Sequence, residues 1–547
     1  LQENAFEMMD KFREIVGPDA NLQTLARGIN TVMLDTGSRE LIDLHAKMFA
    51  KHGTTTIRNF DALNDVQNLE YSAECIKKYG LNHEVVVTLM DLPPGCTGAH
   101  DVAFYEKTLR QILDSGVPHD SLCFKDASGT ASPQKVYETI QMARKLVGND
   151  THIRLHTHET AGVSVSCYLA ALEAGADGID LAASPVSGGT SQPDILTMLH
   201  AVKGKNYDLG GLDIEKVLKY EEVLTDCLKD YFIPPEATQV SPLIPFSPMP
   251  GGALTANTQM MRDNGTLNKF PEVIKAMREV VEKGGYGTSV TPVSQFYWQQ
   301  AYANVMFGPW KQIAPGYGKM VLGYFGKTPV APDEEIVALA AEKLKMEPTK
   351  ENPLDIADRD EKKKISVWKQ RLELEGIEAS EENIFIAAAC DEKGIAFLKG
   401  ESPLNIRKND STCENDKECN LGENNSMSNA NGNYTVVVDG QKFNVSIAEG
   451  NADIQVTPVA SSNEAPAAAA PVASNGEGVE VPAVVNGAVW KILVKVGDKV
   501  EKDQQIMILE AMKMEIDINA PESGTIKEIL VTPNAAVEEG QTLAIIG

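Results

Sequence analysis

The sequence predicts an α/β protein with three parts: a (β/α)8 TIM barrel, a mainly helical domain that follows it, and a small all-β flattened sandwich. The first part shows short β-like runs that alternate with amphipathic helical runs. The repeat is about 30 residues, the length of one strand, one helix and two loops. Polar residues gather where these strands end, and a segment near the C-terminus is duplicated. These three observations carry the prediction.

The barrel prediction is based on six candidate strands between residues 21 and 185. They are Leu22–Ala26, Thr55–Phe60, Glu84–Asp91, Leu122–Asp126, Ile153–His158 and Gly178–Ser184. The helices between them carry terminal signals: in the fourth, Ser132 caps, Pro133 fits the first turn and Gly148 ends the helix. Strands joined by such crossover helices form a parallel sheet.

An open doubly wound sheet also fits this alternation, but polar residues at the carboxyl ends of the strands favour a barrel. They are Arg27, Arg58, Asp61, Asp91, Lys125, Asp126, His156, His158 and the loop Ser187–Pro193. Only six strand–helix units are visible. The chain also begins at Leu1 and not at Met. We therefore expect a truncated start, with the first strands of the barrel upstream.

The remaining boundaries follow from changes in composition. The predicted domains are the barrel at 1–210, the helical domain at 211–406 that completes its site, a disordered acidic linker at 407–432, a small β-hairpin segment at 433–456, an Ala/Pro-rich swinging linker at 457–478 and the sandwich at 479–547. Asp439-Gly440 is a type I′ hairpin signal. The alanine- and proline-rich linker is expected to be extended and semi-stiff.

The sandwich is predicted from a duplication. Gly487–Val494 is echoed by Gly524–Val531, at an offset of 37 residues. Two such halves joined by a turn are expected to display Lys513, in Ala511-Met-Lys-Met514, at a hairpin tip. A lone lysine on a strand is usually an ordinary surface residue, but the duplicated frame favours a handle for a prosthetic group.

Composition excludes several functions. The formal net charge of −27 argues against nucleic acid, whose binding needs clustered lysine and arginine. No apolar run approaches the roughly 18–20 residues of a membrane span, and no signal peptide is visible, so a cytoplasmic protein is expected. The 8 cysteines are scattered without a Cys-x-x-Cys pair, which indicates reduced thiols and no zinc knuckle.

His156 and His158 are candidate metal ligands because residues two apart on a strand face the same side. Ordinary polar or packing roles are the alternative. Lys125 ends the preceding strand and should lie beside them. As an ammonium it would repel a cation and would instead pair with Asp126; as a carbamate it would offer an anionic oxygen.

Several motifs together resemble a known family. They are Phe60–Asp65, Phe124–Asp126, Leu155–His158, Gly188–Pro193, Met249–Gly252 and Val290–Pro292. They look like the carboxyltransferase subunit of pyruvate carboxylase, the oxaloacetate decarboxylase α subunit and the keto-acid-side subunit of transcarboxylase. The Ala-Met-Lys-Met segment resembles the biotinyl carrier domain of the same enzymes. Lipoyl carriers share that fold but usually lack the methionine pair.

This resemblance implies specific roles. A divalent metal (zinc, manganese or cobalt) would be held by His156, His158, carbamylated Lys125 and an aspartate from an Asp-Ala-His-Gln motif that this sequence lacks. Arg27 would bind the keto-acid carboxylate, and biotin would be attached to Lys513. Thr291 would shuttle a proton, although a helix cap before Pro292 is a competing role. Ser294 would help to seat the biotin ring.

One position departs from the family. Leu34 stands where a tyrosine usually follows the keto-acid arginine by seven residues. The loss of this hydroxyl near the substrate leaves the choice of 2-oxo acid open.

The expected function is carboxyl transfer between carboxybiotin and pyruvate or oxaloacetate, as the carboxyltransferase and carrier subunit of a multi-subunit pyruvate carboxylase. Alternatives are the oxaloacetate decarboxylase α subunit of a sodium pump and a carboxylase of another 2-oxo acid such as 2-oxoglutarate. Outside the family, an aldol-type lyase or synthase would not need Lys513, and a non-catalytic biotin-bearing scaffold would not need Lys125 with two histidines. Expected partners are a biotin carboxylase subunit or membrane decarboxylase subunits, biotin protein ligase and further copies of the chain in a homo-oligomer.

Overall fold

The computed structural model describes residues 2–404, 406–409, 432–438, 441–447, 478–485, 487–511, 514–533, 535–537 and 540–547. The described chain forms two compact units, one of residues 1–408 and 479–547 and one of residues 409–478. The predicted linkers fall largely at positions 410–431 and 457–477, outside the described residues, as do Asp439, Gly440 and Lys513.

The N-terminal part of the chain builds one parallel sheet of six strands in sequential order. The strands are β1 (Gln23–Ala26), β2 (Thr56–Asn59), β3 (Asn82–Thr88), β4 (Ser121–Asp126), β5 (His152–Thr157) and β6 (Gly178–Ile179). All six predicted strands are present. The sixth is shorter than its predicted range Gly178–Ser184, because the chain leaves the sheet after Ile179. Ala182 then makes an isolated parallel bridge with Asp194.

Six helices alternate with these strands. They are α1 (Ala5–Val16), α2 (Arg39–Lys51), α3 (Gln67–Lys78), α4 (Val102–Ser115), α5 (Pro133–Val147) and α6 (Ser164–Ala174). Four of them, α1, α2, α4 and α5, begin at a side-chain cap. Ser132 caps α5 by accepting a hydrogen bond from the amide of Lys135 at 3.3 Å, and Gly148 follows its last turn. Val136, Ile140 and Ala143 of this helix are buried against the sheet.

The next part of the chain is helical. It comprises α7 (Ile195–Ala201), α8 (Ile214–Leu228), α9 (Pro235–Thr238), α10 (Gly251–Asp263), α11 (Phe270–Lys283), α12 (Val293–Phe307), α13 (Pro315–Val321), α14 (Glu334–Leu344), α15 (Pro353–Arg359), α16 (Ile365–Leu374) and α17 (Glu381–Leu398). No described helix is long and apolar enough to cross a bilayer.

One hydrophobic core joins this helical part to the carboxyl ends of the strands. Phe60 after β2, Met90 after β3 and Ala127 after β4 pack in the same cluster as Met249 and Val293. The helical part therefore closes over the end of the sheet at which parallel α/β enzymes place their chemistry.

The C-terminal part of the described chain consists of strands only. Strands β7 (Gly432–Val438) and β8 (Gln441–Ile447) pair with each other in antiparallel orientation. It is followed by β9 (Val479–Pro482), β10 (Gly487–Ile492), β11 (Lys499–Val500), β12 (Gln505–Ala511), β13 (Met514–Asn519), β14 (Gly524–Ile529), β15 (Ala536–Val537) and β16 (Thr542–Ile546). These eight strands form two four-stranded antiparallel sheets, as predicted for a flattened sandwich.

The duplication in the sequence is a duplication in the structure. The bounds of β10 and β14 differ by the same 37 residues (524 less 487), and so do those of β11 and β15 (536 less 499). Val489 and Ile526 occupy equivalent positions and are buried to 0% and 1% exposure. The two halves therefore share one core, to which each contributes an equivalent aliphatic side chain.

Truncation of this shared core is expected to loosen the whole sandwich. Ile526→Ala removes a fully buried side chain and should destabilise the sandwich by roughly 3 kcal/mol, within the usual range for Ile→Ala in a core. Hydrogen–deuterium exchange of residues 479–547 in the full-length protein measures the effect. Glu528→Ala, on the exposed face of the same strand, is the matched control. Equal protection in the two variants would contradict the shared core.

Candidate active site

The predicted site residues converge at the carboxyl ends of the strands. Arg27 follows β1, Lys125 lies near the end of β4 and His158 follows β5. A cavity of ≈ 430 Å³ is lined by Leu25, Arg27, Val32, Leu34, Phe60, Lys125, Ala127, His158, Pro250, Gly252, Ala253, Ala256, Val290, Thr291 and Gln295. The structure thus brings Arg27, Lys125, His158 and Thr291 around one space, although 264 residues separate Arg27 from Thr291 along the chain (291 less 27).

The two histidines are oriented as a pair. Nδ1 of His156 lies 2.7 Å from Oδ2 of Asp180, and Nδ1 of His158 lies 2.7 Å from the carbonyl oxygen of Thr190. Each Nδ1–H therefore donates to an oxygen, and the Nε2 atoms face each other at 3.1 Å. Burial lowers the pKa of His156 to about 4 and that of His158 to about 3, so both rings are neutral near pH 7.

This arrangement fits a divalent metal. Neutral imidazoles bind metal through a nitrogen lone pair while the other ring nitrogen donates to a carboxylate or carbonyl. Two Nε2 atoms at this separation can share one ion. Within the described residues, no further histidine, cysteine, aspartate or glutamate completes a set of three such ligands.

Gly251 explains why the Met249-Pro-Gly-Gly252 motif is rich in glycine. A Cβ at this position would lie 1.8 Å from the carbonyl oxygen of Thr190 and 2.8 Å from Nδ1 of His158. Only glycine lets the first turn of α10 approach the loop carbonyl that orients His158.

Lys125 is placed beside the histidines by strand register, since it is the direct partner of His156 across β4 and β5. Its Nζ lies 4.3 Å from the centroid of the Phe60 ring, and it has no carboxylate within ion-pair distance among the described residues. Burial, followed by the positive charge of Arg58, lowers the pKa of Lys125 to about 8. The expected alternative, a salt bridge to Asp126, is absent from the described structure, because Asp126 instead binds Ser128 and the amides of Gly129 and Ala131.

Arg27 is a cation without a carboxylate partner in the described part of the chain. Its Nη1 donates to the carbonyl oxygens of Val32 at 2.5 Å and Met33 at 3.3 Å, while its Nε is buried and unbonded. Burial lowers the pKa of Arg27 to about 10, so the guanidinium stays charged near neutrality. An anionic ligand in the cavity would supply the missing counter-charge.

Thr291 and Ser294 differ in their position relative to the cavity. Thr291 lines the cavity just before α12. Ser294, in the first turn of that helix, is fully buried, its Oγ has no hydrogen-bond partner in the described structure, and it is not part of the cavity wall. Gln295, which the sequence did not single out, lines the cavity and forms an amide pair with Asn257 at 3.3 Å.

Two further residues near the histidines were missed from the sequence. Asp180 lies just after β6, inside a predicted strand, where nothing in its neighbours marked it. Gln192 lies in the polar loop Ser187–Pro193, and its Nε2 is 3.3 Å from Nε2 of His158. Burial alone would raise the pKa of Asp180, but hydrogen bonds from His156 and Arg58 hold it well below its usual range.

The predicted attachment site, Lys513, lies outside the described residues. The strands on either side are described: β12 and β13 pair antiparallel, with Ala511 opposite Met514.

Comparison with known proteins agrees with both parts of the chain. A conserved carboxylase domain matches residues 244–455, and a biotin-requiring enzyme domain matches residues 477–546. The chain is 29% identical to the pyruvate carboxylase B subunit of Methanocaldococcus jannaschii over 94% of this chain and 84% of that one. It is 28% identical to the methylmalonyl-CoA carboxyltransferase 5S subunit of Propionibacterium freudenreichii over 76% of this chain and 81% of that one.

The solved structures support the fold. The carboxyl transferase domain of Rhizobium etli pyruvate carboxylase superposes with a TM-score of 0.64 at 22% identity, covering 73% of this chain and 67% of that domain. A match to a carboxylase domain and a match to a biotin-requiring enzyme domain in one chain indicate a carboxyltransferase that carries its own prosthetic-group module. The chain is a biotin-dependent carboxyltransferase that is similar to the pyruvate carboxylase B subunit and to the methylmalonyl-CoA carboxyltransferase 5S subunit.

Loss of the Asp180 carboxylate is expected to weaken metal binding. Asp180→Asn replaces the acceptor for the Nδ1–H of His156 with an amide that can present its own donor, and loss of such a partner typically weakens metal affinity about 10–100-fold. Chelator competition with zinc and manganese measures the affinity. Asp150→Asn, in the exposed turn before β5, is the control. Unchanged affinity in Asp180→Asn would show that Asp180 does not orient His156 for metal binding.

Proposed function

We propose that this chain transfers a carboxyl group between biotin attached to Lys513 and a 2-oxo acid, with pyruvate and oxaloacetate as the substrate pair. The observation that carries the proposal is Arg27, a guanidinium without a carboxylate partner in the described structure, on the wall of the cavity that also holds Lys125, His158 and Thr291. A small anion with a reactive keto group fits this combination.

Arg27 is the proposed anchor for the substrate carboxylate. The carbonyl oxygens of Val32 and Met33 fix one edge of its guanidinium and leave the remaining donors for a ligand. Carboxylate–guanidinium pairs are among the strong hydrogen bonds because both partners are charged. Leu25, Leu34 and Phe60 line the same cavity with apolar surface, which limits the water that would compete for the pair.

His156, His158 and carbamylated Lys125 are the proposed metal ligands. A bound zinc, manganese or cobalt ion would supply a Lewis acid for the keto group. The chain contributes two neutral, oriented imidazoles and a lysine whose lowered pKa gives it a larger fraction of neutral amine at neutral pH than an exposed lysine has. The neutral amine is the form that can react with carbon dioxide.

Thr291 is the proposed proton carrier. Its hydroxyl can accept a proton and donate its own, so it can move one proton without becoming charged. The role requires a position on the cavity wall, which Thr291 has and the neighbouring Ser294 does not. Biotin on Lys513 would supply the carboxyl group that is exchanged.

A multi-subunit complex is the proposed setting. The name of the Methanocaldococcus relative, which marks it as one subunit of a pyruvate carboxylase, supports a separate partner. That partner would be a biotin carboxylase subunit that loads the carboxyl group onto biotin.

Loss of the Thr291 hydroxyl is expected to stop transfer without affecting biotin attachment. Thr291→Ala should lower kcat for biotin-dependent oxaloacetate decarboxylation by about 100-fold or more, the usual contribution of a positioned proton carrier. Thr291→Ser keeps the hydroxyl and should retain most of the rate. An avidin blot should be equal in wild type and both variants and negative in Lys513→Arg. A Thr291→Ala enzyme with normal kcat would rule out the proton-carrier role.

Loss of the Arg27 charge is expected to raise KM. Arg27→Gln removes one charge-assisted pair with the substrate, worth about 1.5–3 kcal/mol, so KM for oxaloacetate should rise roughly 10-fold to 100-fold. Arg110→Gln, on the exposed side of α4, provides a control that removes the same charge elsewhere. A KM in Arg27→Gln equal to that of the control would show that the substrate carboxylate binds at another position.

A further inference from the structure

Four charged side chains form a closed ring inside the parallel sheet. Arg58 lies on β2, Glu84 on β3 and Arg154 on β5, and Asp180 lies just after β6. Arg58 binds Glu84 through Nε at 3.1 Å and Nη2 at 2.9 Å, and its Nη1 binds Asp180. Arg154 lies 3.2 Å from Asp180 and 3.7 Å from Glu84. We call these four residues the charged ring.

Burying the charged side chains of the ring costs free energy, because charged groups lose their contact with water. Arg58 is 8% exposed and Glu84 is 3% exposed. The interior of a parallel barrel is usually filled by layers of branched apolar side chains, and removing charges from water costs several kcal/mol for each ion unless they are well paired. The ring contains two positive and two negative groups and is therefore balanced.

The charged ring does not serve the substrate directly, because none of its members lines the cavity of the candidate site. It touches that site at His156, whose Nδ1 lies 2.7 Å from Oδ2 of Asp180 and 3.3 Å from Nη1 of Arg58. Arg154 and His156 are two residues apart on β5 and face the same side. The ring thus forms the layer directly beneath the histidines.

Gly178 lies beside the guanidinium of Arg154. A Cβ at Gly178 would lie 3.1 Å from Cζ of Arg154 and 2.9 Å from Nε2 of His152. A larger residue in β6 would press on the guanidinium that lies across this strand. Gly178 is the direct partner of Arg154 across β5 and β6 and leaves space for its guanidinium.

We propose that the charged ring is a positioning device for His156, in which Glu84 neutralises Arg58 and Arg154 so that Asp180 remains the acceptor for the Nδ1–H of His156. Asp180 is shared by three donors: Arg58, Arg154 and His156. Without Glu84, both guanidinium groups would have Asp180 as their remaining carboxylate in the ring. His156 would then compete for Asp180 against two unbalanced cations. This inference rests on the proposed metal-binding function of the histidine pair.

The first experiment removes the charge of Glu84 and keeps its shape. In Glu84→Gln, the dissociation constant for zinc, measured by chelator competition, should rise about tenfold, at the lower end of the effect of an outer-shell partner. Nitrogen-15 NMR of the metal-free protein should show a smaller fraction of the His156 tautomer with its proton on Nδ1. Glu70→Gln, on the exposed face of α3, should match wild type in both measurements.

The second experiment restores the balance. Glu84→Gln combined with Arg154→Gln removes one charge of each sign, leaves Asp180 to Arg58 and His156, and should return zinc affinity most of the way to wild type. Such a rescue is a coupling that a merely structural role would not produce. The double variant also avoids the unpaired buried charge that could unfold Glu84→Gln.

Two results would overturn the proposal. One is wild-type zinc affinity and an unchanged His156 tautomer in a folded Glu84→Gln protein, even with a lower Tm. The other is a double variant that binds zinc no better than Glu84→Gln. Failure of the wild-type protein itself to bind zinc or manganese would instead count against the proposed metal site.

Discussion

The 3.1 Å approach of two imidazole Nε2 atoms is the feature on which the rest of the candidate site depends. Two neutral rings turn their lone pairs toward each other only if both Nδ1–H groups are held elsewhere. Asp180 and the carbonyl of Thr190 hold them, and each depends on a further constraint. Asp180 needs the surrounding arginines, and Thr190 needs the glycine at 251. A short distance in the site is therefore fixed by residues on several separate segments.

Burial lowers the pKa of every basic group around this pair, but the resulting charges differ. It keeps the histidines neutral near pH 7 and brings Lys125 close enough to neutrality to have some neutral amine, whereas Arg27 retains its charge because its ordinary pKa is so high. Desolvation disfavours the charged form of every group. The charge that a basic group keeps near pH 7 therefore depends on how far its ordinary pKa lies above 7. One cavity can therefore hold neutral donors for a metal and a permanent cation for an anionic substrate within the same wall.

The sequence predicted those parts of the fold and site that local patterns control. Strand and helix positions follow from hydrophobic periodicity, and the ends of α5 follow from Ser132, Pro133 and Gly148. The His-x-His pair and Lys125 could be placed together because strand order and register put β4 beside β5. These inferences need only the regular geometry of a parallel sheet.

The parts that could not be predicted depend on contacts between distant segments. Asp180 is an ordinary aspartate in the sequence, and its role emerges only when Arg58, 122 residues earlier, meets it across the interior of the sheet. Ser294 and Gln295 are adjacent in the sequence, yet only Gln295 lines the cavity. The rotation of α12 decides between them, and the packing of Val293 and Phe296 in the shared core sets that rotation.

The carrier sandwich poses a different problem, since its two halves are nearly equivalent. β10 and β14 have the same pattern of burial, and Leu493 and Leu530, again 37 residues apart (530 less 493), are both exposed. The pattern of burial in these strands therefore does not distinguish the two halves. The attachment motif breaks this symmetry by its position at the junction, between β12 of the first half and β13 of the second. In this module, the fold supplies two similar halves, and the junction between them is the segment whose sequence is not repeated.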